Sequence, residues 1–353
     1  MATRNFIIIL VLIPLLLIIG AAVYFLGPWG NDEEKSGESE SGIKVLVSEA
    51  VISPVLSFDG EKIWYATPAG KMFRIPITPY LSSPTGGEEL KEGEKEEYLL
   101  PQPLEGITQV IWPGSGNDFL VELATSEGAN QFAFYNGTNR TFHSLSPLLR
   151  KASFLANPEK IVYEFDGAVR ELKVSNKDGS DFRKVAELKR SDYEIAVSPA
   201  KDEAVLLGSD NLEPSFLILV DLATGKFTDL DQKDFYKEAK FSPDGTKLAV
   251  LRGEGGLTVY DLNQIGQPPL RVRGGEGRGE DFTWSADSKT LILADETGFF
   301  RYDLESITQS EIYKFKEAEK HKPINIIAHP QKNLLFFVDQ TDRFLYQVDF
   351  PSS

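Results

Sequence analysis

His143, His321 and His329 are the only histidines in the chain, and it has no cysteine. Their spacing matches no helical zinc motif, and thiolate metal sites and disulfides are excluded outright. Nucleophilic catalysis needs a Ser or Cys beside a base that a third group orients, and no Gly-x-Ser-x-Gly elbow is present. Asn176, Asp178 and Asp181 in "NKDGSD" have the oxygen ligands of a calcium loop. The distal Glu that completes such a loop is absent, so an Asp-Gly hairpin accounts for them better. "RGGEGRGEDF", residues 273–282, is glycine-rich but lacks the Lys-Ser/Thr and the strand-to-helix context of a phosphate cradle. Asn136-Gly-Thr138 and Asn139-Arg-Thr141 match the glycosylation sequon, yet both fall where a tight turn must follow "FAFY". No catalytic set, metal or cofactor is therefore expected. Two carboxylates meeting at a defined separation could still support glycosidase chemistry, and the sequence alone does not place such a pair.

The elements that would position these residues come into view at "FSPDGTKLAV", residues 241–250. Pro243 presets the first corner of a turn, Asp244 can bond its own backbone, and Gly245 accepts the left-handed conformation that closes it. The position of Ser242 recurs at Ser57, Trp112, Leu155, Ser198, Ser285 and His329, at spacings in chain order of 55, 43, 43, 44, 43 and 44. A period near 40–45 residues with four short strands per unit is the pattern of a β-propeller blade. In the fifth unit the strands read "EAKFS", "KLAVLR", "LTVYDL" and "PLRVRG". The fold expected is all-β, a seven-bladed β-propeller over 43–350. The one long interval holds "TPYLSSPTGGEELKEGEKEEYLL", residues 78–100, an insertion suited to an exposed loop between the third and fourth strands of blade one. The seventh unit ends without a fourth strand, while "IKVLVSEA", residues 43–50, precedes the first unit with no place in it. These residues are expected to close the ring as the outer strand of blade seven.

The first thirty residues are a separate object. Phe6 to Leu26 carries no charge over 21 residues, about the length a helix needs to cross a bilayer core. A single N-terminal transmembrane helix is expected within residues 1–30, with Arg4 keeping the N-terminus cytoplasmic and the propeller outside, periplasmic or extracellular. A cleaved signal peptide ending near Gly20-Ala21-Ala22 is the competing reading, but apolar residues continue from Val23 to Leu26. Residues 31–42, "NDEEKSGESESG", read as an acidic flexible tether. The net charge of −16 opposes nucleic acid and anionic lipid headgroups as partners, while 41% hydrophobic residues are enough for a sizeable core.

The "SPDGTKLAV" and "SFDGEKIWYATPAGKMFRI" units, and "VSNKDGSDFRKVAEL" with its Asp-Gly-Ser hairpin, resemble the TolB-type propeller repeat, a WD-like family of bacterial exported proteins. The second, third and seventh units depart from that pattern at "WPGSG", "LANPE" and "HPQKN". The resemblance implies a fold and an extracytoplasmic protein-binding or scaffolding role, with a protein or cell-envelope component as partner. Binding surfaces on propellers lie on a face or at the channel mouth. Asp234, Phe235 and Tyr236 put aromatics into an otherwise charged connection, a composition enriched at protein contacts, and are the candidate interaction loop. Trp64, Trp112 and Trp284 read first as packing between blades, with Trp112 the candidate to face the channel. The alternative function is a propeller hydrolase or lyase acting on a sugar or lactone. Converging channel carboxylates with perturbed protonation would favour that reading, whereas a channel lined by small and apolar side chains would favour a scaffold.

Overall fold

The computed structural model describes residues 42–77, 95–114, 116–125, 128, 130–189, 193–208, 216–231, 236–253, 256–272, 281–316 and 320–350. The expected membrane span and all but the last residue of the expected tether lie outside these residues. Among the described residues no helix is long and apolar enough to cross a membrane.

The described residues form seven four-stranded antiparallel sheets and no helix. Six sheets take their strands in chain order, starting at Ile52–Leu56, Ile107–Ile111, Leu149–Phe154, Tyr193–Val197, Tyr236–Phe241 and Asp281–Trp284. The seventh joins Pro323–Ala328, Leu334–Asp339 and Leu345–Asp349 to a fourth strand from the other end of the chain, Ile43–Val47. That strand pairs Ile43 with Val348 and Val47 with Leu345, with a bulge between Val45 and Val47. Lys44 fastens it through a 3.2 Å ion pair to Asp349. The ring is thus closed with the expected hydrogen-bonded strand, shorter by the turn residues Ser48–Ala50. The insertion in blade one lies between Met72–Pro76 and Glu96–Tyr98, its third and fourth strands.

The repeated turn explains why each unit folds alike. In blade five the Ser242 hydroxyl donates to Asp244 Oδ1 (2.6 Å) and accepts the Lys247 amide (2.9 Å), while Asp244 Oδ1 also accepts the Thr246 amide (3.0 Å). Burial pushes the Asp244 carboxyl up, but these bonds prevail and hold it at about 2. Gly245 has φ +66, and a Cβ there would lie 2.7 Å from Ser198 Oγ of blade four, so conformation and blade approach both demand glycine. Blade one repeats the arrangement with Ser57, Asp59 and Gly60. In blade seven the serine's place is taken by His329, whose Nδ1 accepts the Gln331 and Lys332 amides at 3.1 and 3.0 Å. An imidazole nitrogen does the work of a hydroxyl there, which is why "HPQKN" keeps the turn after losing its signature.

The core is divided by the same repetition. Among the described residues seven hydrophobic clusters fill the seven seams between neighbouring blades. The closing seam holds Ile63, Tyr65 and Ile75 of blade one against Phe336, Val338 and Leu345 of blade seven, together with Leu46 and Val47 of the closing strand. Sheets buried on both faces read as near-continuous apolar runs, as in Leu334–Asp339, every residue of which is buried.

Candidate functional site

The first strand of each blade is innermost, and these strands lie against one another around the axis, blade one meeting blade seven across the closing seam. Four positions before each turn-leading residue stand Ser53, Thr108, Lys151, Glu194, Glu238, Asp281 and Asn325, one polar side chain per blade. They lie toward the starts of the inner strands, at the end where the blade-to-blade connections run, and so form a ring of positions, the rim, around one end of the axis. Bulges between Ile52 and Val55, Ile107 and Gln109, Leu149 and Ala152, and Ile324 and Ile327 interrupt the ladder around four of these residues. A bulge re-aims side chains; here Ser53 Oγ accepts the Val110 amide of blade two at 3.0 Å, and the Thr108 hydroxyl donates to the Glu122 carbonyl at 3.1 Å. Ser53 and Asn325 take left-handed backbone, φ +47 and +53, in doing so.

The rim is electrically uneven. Blades seven, one and two contribute the neutral Asn325, Ser53 and Thr108, whereas blades three to six contribute charges. Lys151 pairs with Glu194 across a seam at 2.7 Å. Lys240, two residues beyond Glu238, donates to Glu238 (3.0 Å), to Asp281 (2.9 Å) and to the Phe282 carbonyl (2.6 Å). The other Asp281 oxygen accepts the Ile326 amide at 3.0 Å, so one carboxylate joins blades five, six and seven. Burial would lower the Lys240 ammonium, but Asp281 and Glu238 hold it above its usual range. Glu238 is raised, first by burial and further by the Asp281 carboxylate, against the pull of Lys240. Water still reaches the Lys240 side chain, which is 28% exposed.

This rim was open to discovery in the sequence, because the alignment that reveals the repeat also superposes these seven residues once it is read four positions back. Of the expected interaction loop, Asp234 and Phe235 lie outside the described residues. Tyr236 is 5% exposed and packs in the seam between blades four and five, so its ring is core rather than contact surface. Trp112 is half-buried between blades one and two, against Trp64 (5.9 Å between rings) and Phe119 (5.3 Å), and its indole N–H donates to the Ser53 carbonyl at 2.8 Å. Trp284 repeats the device, donating to the Lys240 carbonyl at 2.9 Å. Both indoles staple one inner strand to the preceding blade.

The three histidines are dispersed. His143 is exposed beside Thr141, His329 serves the closing seam, and His321 pairs with Asp339 (2.8 Å) among Phe315, Phe337 and Tyr346. Asp178 accepts the Ser180 amide and hydroxyl while Asn176 accepts Lys160, so the "NKDGSD" oxygens form a hairpin turn. Among the described residues no group of three or more His, Cys, Asp or Glu is placed to hold a metal ion.

No family model matches the chain. It is 26% identical over 164 residues to a gamma-glutamyl phosphate reductase from Oenococcus oeni, a likeness covering 45% of this chain and 38% of the reductase. The match thus spans well under half the length of that relative, and it carries no residue role to the channel rim.

Proposed function

We propose that the protein is a membrane-anchored, extracytoplasmic β-propeller that acts as a protein-interaction or scaffolding module of the cell envelope. The observation that carries this reading is the use to which the rim's charges are put: Asp281 and Lys240 are engaged in bonds between blades, which stiffen a disc for presenting loops. The apolar segment 6–26, the acidic tether after it and the TolB-type repeat resemblance support the location. Crosslinking and pull-down from intact membranes, comparing the full chain with a form lacking the propeller, tests the reading. Recovery of the same envelope proteins with both forms would refute it.

One observation favours a hydrolase or lyase instead. Glu238, raised and adjacent to Asp281 at the channel mouth, has the environment of a general acid. Turnover of a glycan or lactone panel that vanishes in Glu238→Gln would establish that alternative.

A further inference from the structure

We propose that Asn136–Gly137 is a site of spontaneous deamidation and that Asp118 is the group that holds it shut in the folded chain. It is the one Asn-Gly pair in the sequence. Glycine leaves its own amide nitrogen unshielded, so that nitrogen can turn on the side chain of the preceding asparagine. The step begins when the Gly137 amide loses its proton to hydroxide. Its nitrogen attacks Asn136 Cγ, the N–Cγ bond forms as the Cγ–Nδ2 bond breaks, and Nδ2 takes a proton from water and leaves as ammonia. Water then opens the cyclic imide at either carbonyl, giving aspartate or isoaspartate at position 136.

Packing prevents the fold from escaping this pair. A Cβ at position 137 would lie 2.5 Å from the Asn117 carbonyl oxygen and 2.7 Å from Asn117 Cβ, so only glycine fits where the two turns of blade two meet. Asn136 is engaged as well: its Oδ1 accepts the Thr138 and Asn139 amides, both at 3.0 Å, and its pairing with Thr141 closes the hairpin. The acceptor of the Gly137 amide sets blade two apart. In each of the other six blades the residue after the third strand donates its amide to the backbone carbonyl of the residue before the second, as Leu222 does to Asp202 and Leu262 to Thr246, both at 2.9 Å. In blade two the equivalent residues are Gly137 and Asp118, and there the amide goes to the carboxylate, with Oδ1 at 2.8 Å. Asp118 is aimed from the next blade: its other oxygen takes the Lys177 ammonium at 2.6 Å, and Lys177 is anchored in turn on Glu159 at 2.6 Å.

A neutral carbonyl would satisfy the Gly137 N–H. A carboxylate does more, because it opposes the negative charge that the nitrogen must carry before it can attack, and it does so from a side chain only 21% exposed. The charged acceptor thus stands at the blade where that anion has an asparagine to react with. Blades four, five and six carry Asp221, Asp261 and Asp303 in the place of Asn136, so aspartate is a product the fold accommodates. Isoaspartate lengthens the main chain by a methylene and breaks the hairpin's register. This inference is independent of the scaffolding role, and neither falls with the other.

The test incubates the full chain in detergent and mildly alkaline buffer, and follows Asn136 by peptide mapping and by enzymatic methylation of isoaspartate. Slow conversion in the folded chain and fast conversion in urea are expected. Asp118→Asn, which keeps the side chain's shape and an acceptor but loses the charge, should speed conversion about fivefold, and Asp118→Ala, which removes the acceptor, at least about tenfold. Hydrogen exchange at the Gly137 amide passes through the same anion and should quicken in the same order. Circular dichroism checks that the variants fold, and the near-isosteric Asp118→Asn decides the matter if Asp118→Ala does not. Conversion as fast in the folded chain as in urea, or an Asn136 rate that Asp118→Asn leaves unchanged, would each overturn the proposal.

Discussion

A single hydroxyl shows how much of this structure rests on side chains bonding their own turns. Ser242 is fully buried and satisfies both Asp244 and the Lys247 amide. Ser242→Ala leaves the part-buried Lys247 amide short of a partner, while exposed Asp244 can turn to water, and should cost about 1 kcal/mol, read as a lowered urea midpoint with an unchanged slope. His329 presents the same logic with a titrating group. Its Nε2–H donates to the Gly60 carbonyl at 3.0 Å, which leaves Nδ1 to accept two amides. Burial lowers its proton affinity, and nearby Lys332 lowers it further, against the Gly60 carbonyl; Asp59 and Glu61 flank Gly60 on the facing turn. A group whose folded state prefers to be neutral stabilises the fold above its unfolded pKa, and that stability drains as the unfolded chain takes up protons below about pH 6.5. Thermal melts should therefore fall between pH 7 and 5, and His329→Gln, with no charge to gain, should flatten that part of the profile.

Strands and turns were the most legible level. Turns led by Ser57, Ser198, Ser242 and Ser285, and their drifted counterparts, recur at 43–44 residues but for one interval of 55 and specify the hairpins because turn chemistry is local, and the orphan strand at residues 43–47 could be assigned to blade seven because the seventh unit lacked one. Side-chain direction was less legible. Tyr236 looks like loop by composition, but it begins an inner strand and points into a seam, since position in the pleat decides burial. The rim escaped notice because its residues differ in chemistry from blade to blade, and bulges break the alternation that would mark which of them face the axis. The closing strand lends itself to a direct check. Removing residues through Val47 takes away the pairing along Leu345–Asp349 and exposes an apolar edge. The shortened chain is expected to oligomerise in size-exclusion chromatography and to lose its cooperative melt, whereas a cut before residue 42 should leave the melt unchanged.

Across the whole molecule, cohesion is distributed over seven seams of similar make, so one bond that spans several blades has unusual weight. Asp281 is such a bond, 5% exposed and joined to Lys240 in blade five and Ile326 in blade seven. Asp281→Asn would leave the Lys240 ammonium crowded by protein with a weaker partner, and a loss of about 2–4 kcal/mol is expected, moderated by the water that reaches the lysine. Hydrogen exchange should then quicken in blades five to seven ahead of blades one to three. The ring closure has a consequence in time as well as in space. Lys44 and Asp349 stand 305 positions apart, so during synthesis the strand Ile43–Val47 waits with its edge bare until Leu345–Asp349 has been made. Loop-closure entropy over that span makes the final docking slow, and a nascent chain stalled short of Leu345 is a sheet with a sticky rim on either side of the gap.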